Sequence, residues 1–233
     1  GSWNVPLMRL DFAVLYNKFH GESERNLREA LKQAEAMAPC VLWIDEIEKS
    51  ISADSGDSDG GVSRRMLGTV LTWMAERTSK VFLVATANDV SQLPPELLRK
   101  GRMDEIFFVD LPTKRERIDI FRLHMRKRLK HPDVVGPLKI TDEALGKLAE
   151  VTEGFIGAEI EQVVISALFE AFSESRAIQW TDFTRAIRGT VPLSVTQKER
   201  IDKIRDWANQ RAVTASEPEE GASRPRGGRS LAF

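Results

Sequence analysis

Met37-Ala38-Pro39-Cys40-Val41-Leu42-Trp43-Ile44-Asp45-Glu46-Ile47-Glu48-Lys49 is the stretch on which the fold turns. Residues 40–44 form a short, unbroken apolar run, the pattern of a strand buried on both faces of a parallel sheet, and the run stops at two adjacent acids. Upstream, Leu27, Ala30, Leu31, Ala34 and Met37 recur at three- and four-residue spacing from Glu22 onward, with Ser23 able to cap and Pro39 ending the segment. That spacing predicts an amphipathic helix. Before it, residues 5–10 predict a strand, and residues 12–21 lead through a turn and loop. Downstream, the Gly-, Ser- and Asp-rich segment 52–61 predicts a loop, 62–78 a helix and 81–87 a second buried strand ending at Asn88. Pro94-Pro95 opens a short helix through Arg99, Gly101 turns the chain, and 105–111 predicts one more strand. Strand, helix and strand repeated at these lengths predict an α/β fold, a doubly wound parallel sheet.

Beyond Pro112 the strand patterns stop. Residues 115–129, 141–151, 158–172 and 181–187 carry helical spacing, with Thr141 and Thr181 placed as N-caps, and together predict a small α-helical domain. A last amphipathic helix, 196–211, sets Ile201, Ile204, Trp207 and Ala208 on one face. The segment 214–229 is rich in Ser, Glu, Pro, Gly and Arg and predicts a disordered tail. The expected organisation is an α/β core over 1–112, a helical domain over 113–190, a terminal helix over 191–212 and a tail over 213–233.

Composition narrows the function classes. The 233 residues carry 34 basic and 35 acidic side chains, a net charge of −1, so no global field favours nucleic acid or an anionic membrane. No apolar run is long enough to span a bilayer. The single cysteine, Cys40, has no disulfide partner, and a reducing, cytoplasmic location is the expectation. His20, His124 and His131 are scattered, with no His-Glu-x-x-His zinc site.

In an open α/β sheet, ligands bind beyond the carboxyl ends of the strands, and here those ends display Asp45-Glu46 and Asn88. An aspartate at such a position can hold Mg²⁺, the next glutamate can polarise a water, and an asparagine from the neighbouring strand can orient that water against a phosphate. An acidic pair also ends a strand simply because the chain re-enters solvent. Arg99 and Arg102 flank a glycine turn, a placement that suits phosphate oxygens reached across an interface, or a solvated basic turn.

Taken together, Val41-Leu42-Trp43-Ile44-Asp45-Glu46, Ala85-Thr86-Ala87-Asn88 and Leu98-Arg99-Lys100-Gly101-Arg102-Met103-Asp104 resemble the Walker B strand, sensor 1 and arginine-finger segment of the AAA family of ATPases. The wording around 37–49 and 93–112 is most similar to bacterial and chloroplast-encoded AAA proteins of the hypothetical-chloroplast-frame type. The resemblance implies Mg²⁺-dependent ATP hydrolysis, with Asp45 on the metal, Glu46 on the water, Asn88 as γ-phosphate sensor, and Arg99 and Arg102 acting on a neighbour's nucleotide. It implies a cyclic homo-oligomer, a hexamer, that remodels or threads a protein client. Lys18, Phe19 and His20 fall at the family's pore loop, where the aromatic would grip that client. Residues 54–61 fall at a second pore loop or form a solvated linker. His124 falls near the nucleotide's ribose and base, and Gly157 and Ala158 open the helix of the family's lid that faces nucleotide.

The largest departure is the phosphate loop: no Gly-x-x-x-x-Gly-Lys-Ser/Thr occurs in the 233 residues. By resemblance, the strand preceding that loop would lie between those ending at Asn88 and Leu111. The chain is therefore expected to be a fragment of a longer ATPase and inactive alone. The competing reading, which the missing loop favours, is a non-hydrolysing adaptor or regulatory module. An adaptor has no chemical need for Asp45, Glu46, Asn88, Arg99 and Arg102 together. A ring acting on nucleic acid is disfavoured by the balanced charge.

Overall fold

Three parallel strands, β1 (Leu7–Leu10), β2 (Cys40–Ile44) and β3 (Val81–Ala85), lie side by side in chain order. They belong to the first of two units, Gly1–Glu105 and Ile106–Phe233, into which the computed structural model divides. The structure describes residues 3–15, 22–51, 61–99 and 101–216. Lys18, Phe19, His20, residues 52–60 of the expected loop and the residues beyond 216 where a tail was expected fall outside the described residues.

The register runs Leu10, Ile44 and Ala85 across the carboxyl ends of the three strands. The connections are α2 (Glu22–Ala36) between β1 and β2, and α4 (Val62–Glu76) between β2 and β3. Crossovers between parallel strands are right-handed, and both step the same way across the sheet, so both helices land on one face. Leu27, Leu31 and Ala34 from α2 and Met66, Val70 and Met74 from α4 bury themselves against Leu10, Leu42, Ile44 and Val81. Leu27, Leu42 and Ile44 are wholly excluded from solvent.

That geometry corrects the expectation that residues 40–44 and 81–85 are buried on both faces. Burial alternates along both strands. Leu7, Phe82 and Val84 on the second face are exposed, and Val41 and Trp43 half-buried. Trp3 sets its ring edge-on to Phe82, with 5.5 Å between centroids, and Arg9 lies over the Trp43 ring at 5.1 Å.

Short elements depart further from expectation. Residues 12–15 form a helical turn, α1 (Phe12–Leu15), where a turn and loop were expected. α3 (Ile47–Ile51) follows the acidic pair directly, and a 3-10 turn spans Val90–Gln92. The stretch 94–99 forms consecutive turns, not a helix, because two prolines and the Gly101 turn leave too few residues to repay helix nucleation. Gly101 takes a φ of 89°, a left-handed value that glycine reaches without strain.

The second unit is helical. α5 (Lys114–Arg128), α6 (Pro132–Val135), α7 (Asp142–Val151), α8 (Gly157–Ser173) and α9 (Trp180–Arg188) enclose a core of Phe121, Met125, Leu145, Phe155, Ile160 and Phe183. Thr113 and Glu116 form a capping box at the start of α5. The buried Arg117 guanidinium donates to the carbonyls of Ala149, at 3.0 and 3.2 Å, and Pro112, at 2.7 Å, placing a cation at the carboxyl end of α7, where the helix dipole favours it.

The last helix expected over 196–211 forms as α11 (Lys198–Arg211), preceded by a separate helical turn, α10 (Leu193–Thr196). The strand expected over 105–111 contracts to β4 (Phe107–Phe108), which pairs in parallel with β5 (Val213–Thr214). A two-residue partner sets the ladder's length.

The Asp182 carboxylate is fully buried and paired to both terminal nitrogens of Arg176 at 2.7 Å. This guanidinium, helped by the Gln179 N–H, holds the carboxyl below the usual carboxylate range. A folded pKa lower than the unfolded one contributes stability that is fully present above the unfolded value, near 4, and is lost as pH falls through the folded value. Asp182→Asn is expected to lower the melting temperature by roughly 5 °C or more at pH 7. Melts followed by circular dichroism should show the gap from wild type shrinking as pH drops below about 4. A gap independent of pH would show that the ion pair is not its source.

Candidate active site at the carboxyl ends of the first sheet

Cross-strand pairing brings residues 45–49 and 86–88 together, although about 40 positions separate them in sequence. Backbone bonds continue past the ladder: the Thr86 N–H donates to the Ile44 carbonyl at 3.0 Å and the Ile47 N–H to the Thr86 carbonyl at 2.9 Å. The Thr86 hydroxyl then works in both senses. It accepts from the Glu46 N–H at 3.0 Å and donates to Asp45 Oδ1 at 2.6 Å.

Glu46 is thereby held at a φ of 49°, a left-handed conformation uncommon for a residue with a Cβ. Strain of this kind persists only where surrounding contacts over-determine it, and it concentrates at functional positions. The consequence is directional. From this backbone the Glu46 side chain reaches Asn88, whose Nδ2 donates to Oε1 at 2.7 Å, while Lys49 Nζ lies 2.7 Å from Oε2. The hydrogen bond to Glu46 holds the Lys49 ammonium above its ordinary pKa. Asp45 Oδ2 is 3.7 Å from the Arg9 guanidinium on β1.

Of the residues expected from sequence, Asp45, Glu46 and Asn88 meet in one hydrogen-bonded cluster. Arg99 is exposed; Arg102 is half-buried and donates to the Glu96 carbonyl at 3.1 Å, bracing its own turn. His124, Gly157 and Ala158 lie in the second unit. His124 Nδ1 is 3.1 Å from Arg128 Nη1 and 3.5 Å from Glu161 Oε1, so the ring is fixed against an ion pair. The Arg128 guanidinium holds the Glu161 carboxyl below the usual range. Gly157 and Ala158 form the first turn of α8, after an Ile156 N–H that donates to Glu159 Oε2 at 2.8 Å.

Thr86, Lys49, Glu48 and Arg9 were not singled out in the sequence. Thr86 stands inside the segment that suggested Asn88, but a threonine at a strand end carries no signal of its own. Glu48 resembles any first-turn acid of a surface helix until its 3% exposure is seen.

The residues present fit one half of the nucleotide requirement. Mg²⁺ takes one or two carboxylates and completes its shell with water and phosphate oxygens. Asp45, with one oxygen on a hydroxyl and the other 3.7 Å from an arginine, is a donor of that type. No cluster of three metal-binding side chains occurs among the described residues. The cradle for the β- and γ-phosphates is absent from the sequence.

The sequence profile of the ATPase family associated with various cellular activities (AAA) matches residues 1–111, and that of the AAA+ lid domain matches residues 142–184. An AAA domain-containing protein of Pyropia yezoensis, ycf46, is 43% identical over 216 residues, covering 92% of this chain and 42% of the relative. The proteasome-activating nucleotidase of Aeropyrum pernix is 34% identical over 193 residues, 80% of this chain and 45% of that protein. The chain thus spans less than half the length of these relatives. The crystal structure of the FIGL-1 AAA domain in complex with ADP has the same fold, with a TM-score of 0.70 over 88% of this chain and 68% of that one at 20% identity. An α/β unit with a parallel sheet, a helical lid and these matches in both halves make the chain a member of the AAA family of ATPases.

Proposed function

We propose that these residues form the hydrolytic half of a Mg²⁺-dependent ATPase site, completed by a phosphate-binding loop that the 233 residues do not contain. The observation that carries this reading is the Glu46–Asn88 contact of 2.7 Å at the carboxyl ends of adjacent parallel strands. ATP with Mg²⁺ supplies the reactive γ-phosphoryl group and the divalent charge that neutralises its oxygens. Asp45 holds the metal, Glu46 accepts a proton from the attacking water, and Asn88 senses the γ-phosphate and orients that water.

Arg99 and Arg102 act on the nucleotide of a neighbouring copy, which requires a head-to-tail arrangement closing into a ring, a hexamer. Arg99, exposed on its turn, is the better placed of the two, since Arg102 braces the turn from within. His124, Gly157 and Ala158 contribute the lid's side of the nucleotide site. Lys18, Phe19 and His20 contact the protein client, which the ring remodels or threads in the cytoplasm. This chain alone does not hydrolyse ATP.

The longer protein is expected to hydrolyse ATP when Mg²⁺ is present. Glu46→Gln should lower kcat by about 10²- to 10⁴-fold while leaving nucleotide binding in place, measured by phosphate release and by fluorescent-nucleotide titration. Unchanged turnover would remove Glu46 from the chemistry and favour the adaptor reading.

Arg99→Ala should lower kcat by about 10³-fold or more. Mixing Arg99→Ala subunits with Glu46→Gln subunits should restore part of the activity, because an intact Glu46 then meets an intact Arg99 at some interfaces. Mixed rings as inactive as either parent would place Arg99 in its own subunit's site or outside the site.

A further inference from the structure

We propose that Glu48 is the positioning residue of this site, fixing the backbone of Asn88 so that its amide meets Glu46; the inference rests on the reading of Glu46 and Asn88 given above. Glu48 is 3% exposed, and its Oε1 accepts the Asn88 N–H at 2.9 Å. Its Oε2 is buried without a hydrogen-bond partner among the described residues. Desolvating a carboxylate is costly and leaving one of its oxygens unpaired adds to the cost, so an ordinary loop amide is more cheaply satisfied by water or a carbonyl. A first-turn acid present only for the dipole of α3 would remain solvated at the helix end. Glu48 instead turns inward to the segment that follows β3.

The arrangement is reciprocal. The Glu46 backbone is anchored to the Asn88 segment through Thr86 Oγ1, and the Asn88 backbone is anchored to the Glu46 segment through Glu48. An asparagine has only two side-chain torsions, so once its N–H is fixed its amide can reach few places. The place it reaches is Glu46 Oε1. Glu48 itself touches neither water nor phosphate in this scheme; it sets the distance between two groups that do.

Amide hydrogen exchange of the 233-residue chain by NMR tests the anchor, and steady-state kinetics of the longer protein test its consequence. Glu48→Ala is expected to accelerate Asn88 amide exchange about 10-fold or more and to move its proton resonance upfield, while the Leu42 and Ile44 amides change less than about twofold. In the longer protein, kcat should fall about 10-fold with the KM for ATP within about twofold. Glu48→Gln, which keeps an acceptor on Asn88, should recover most of both losses. The proposal is overturned if the Asn88 amide stays protected in Glu48→Ala, if the strand amides accelerate equally, or if Gln behaves like Ala. A wild-type longer protein without ATPase activity would instead overturn the proposed function, and the exchange measurements would still decide whether Glu48 holds Asn88.

Discussion

Thr86 ties the carboxyl end of β2 to that of β3, and each feature of the site follows from how it does so. Its main chain extends the ladder by one bond in each direction, and its hydroxyl spans Asp45 Oδ1 and the Glu46 N–H. A serine could make the same two bonds, but the β-branched threonine restricts χ1 and so restricts where the hydroxyl points. With that hydroxyl fixed, the Asp45 carboxylate is aimed, the Glu46 backbone is held in its left-handed conformation, and Glu46 faces Asn88. A residue with no chemistry in the proposed reaction thus decides where the reactive groups stand.

The same sheet explains an exposed surface that would otherwise be puzzling. Two right-handed crossovers stepping in one direction must deposit both helices on one side. Buried parallel sheets are covered on both faces, and the apolar character of Leu7, Val41, Trp43, Phe82 and Val84 is that of an interior face. Trp3 on Phe82 and Arg9 over Trp43 cover part of it locally. Sequence pattern therefore identified both strands correctly while overstating their burial, because an apolar run records what a strand suits and not what packs on it.

Legibility elsewhere divides along the same physical line. Long periodic segments such as α2, α4, α5 and α8 were plain, because the period of an amphipathic helix survives without knowledge of its partner. The acids and the asparagine at the strand ends were legible because topology places those ends at a ligand site. Elements defined only by a distant partner were not: β4 is as short as the Val213–Thr214 pair opposite it. Thr86 and Glu48 escaped for a related reason. Their importance lies in contacts across some 40 residues, and neither residue type announces such a contact.

Glu46 occupies both of its oxygens, and the two partners are not equivalent. Lys49 reaches Oε2 from a side chain 66% exposed, so its attraction is screened by water and salt and weakened by the freedom of a long stem. Asn88 reaches Oε1 from a short side chain whose own backbone is pinned to a buried carboxylate. Each carboxylate oxygen still has a free lone pair, so a water can reach Glu46 beside either partner, and displacing Lys49 would exchange an exposed ion pair for hydration at little cost. Releasing Asn88 would mean disturbing the segment that Glu48 and Thr86 hold. Under the proposed function, burial makes Lys49 the more easily displaced partner of Glu46, while the Asn88 amide on Oε1 is the one held in place.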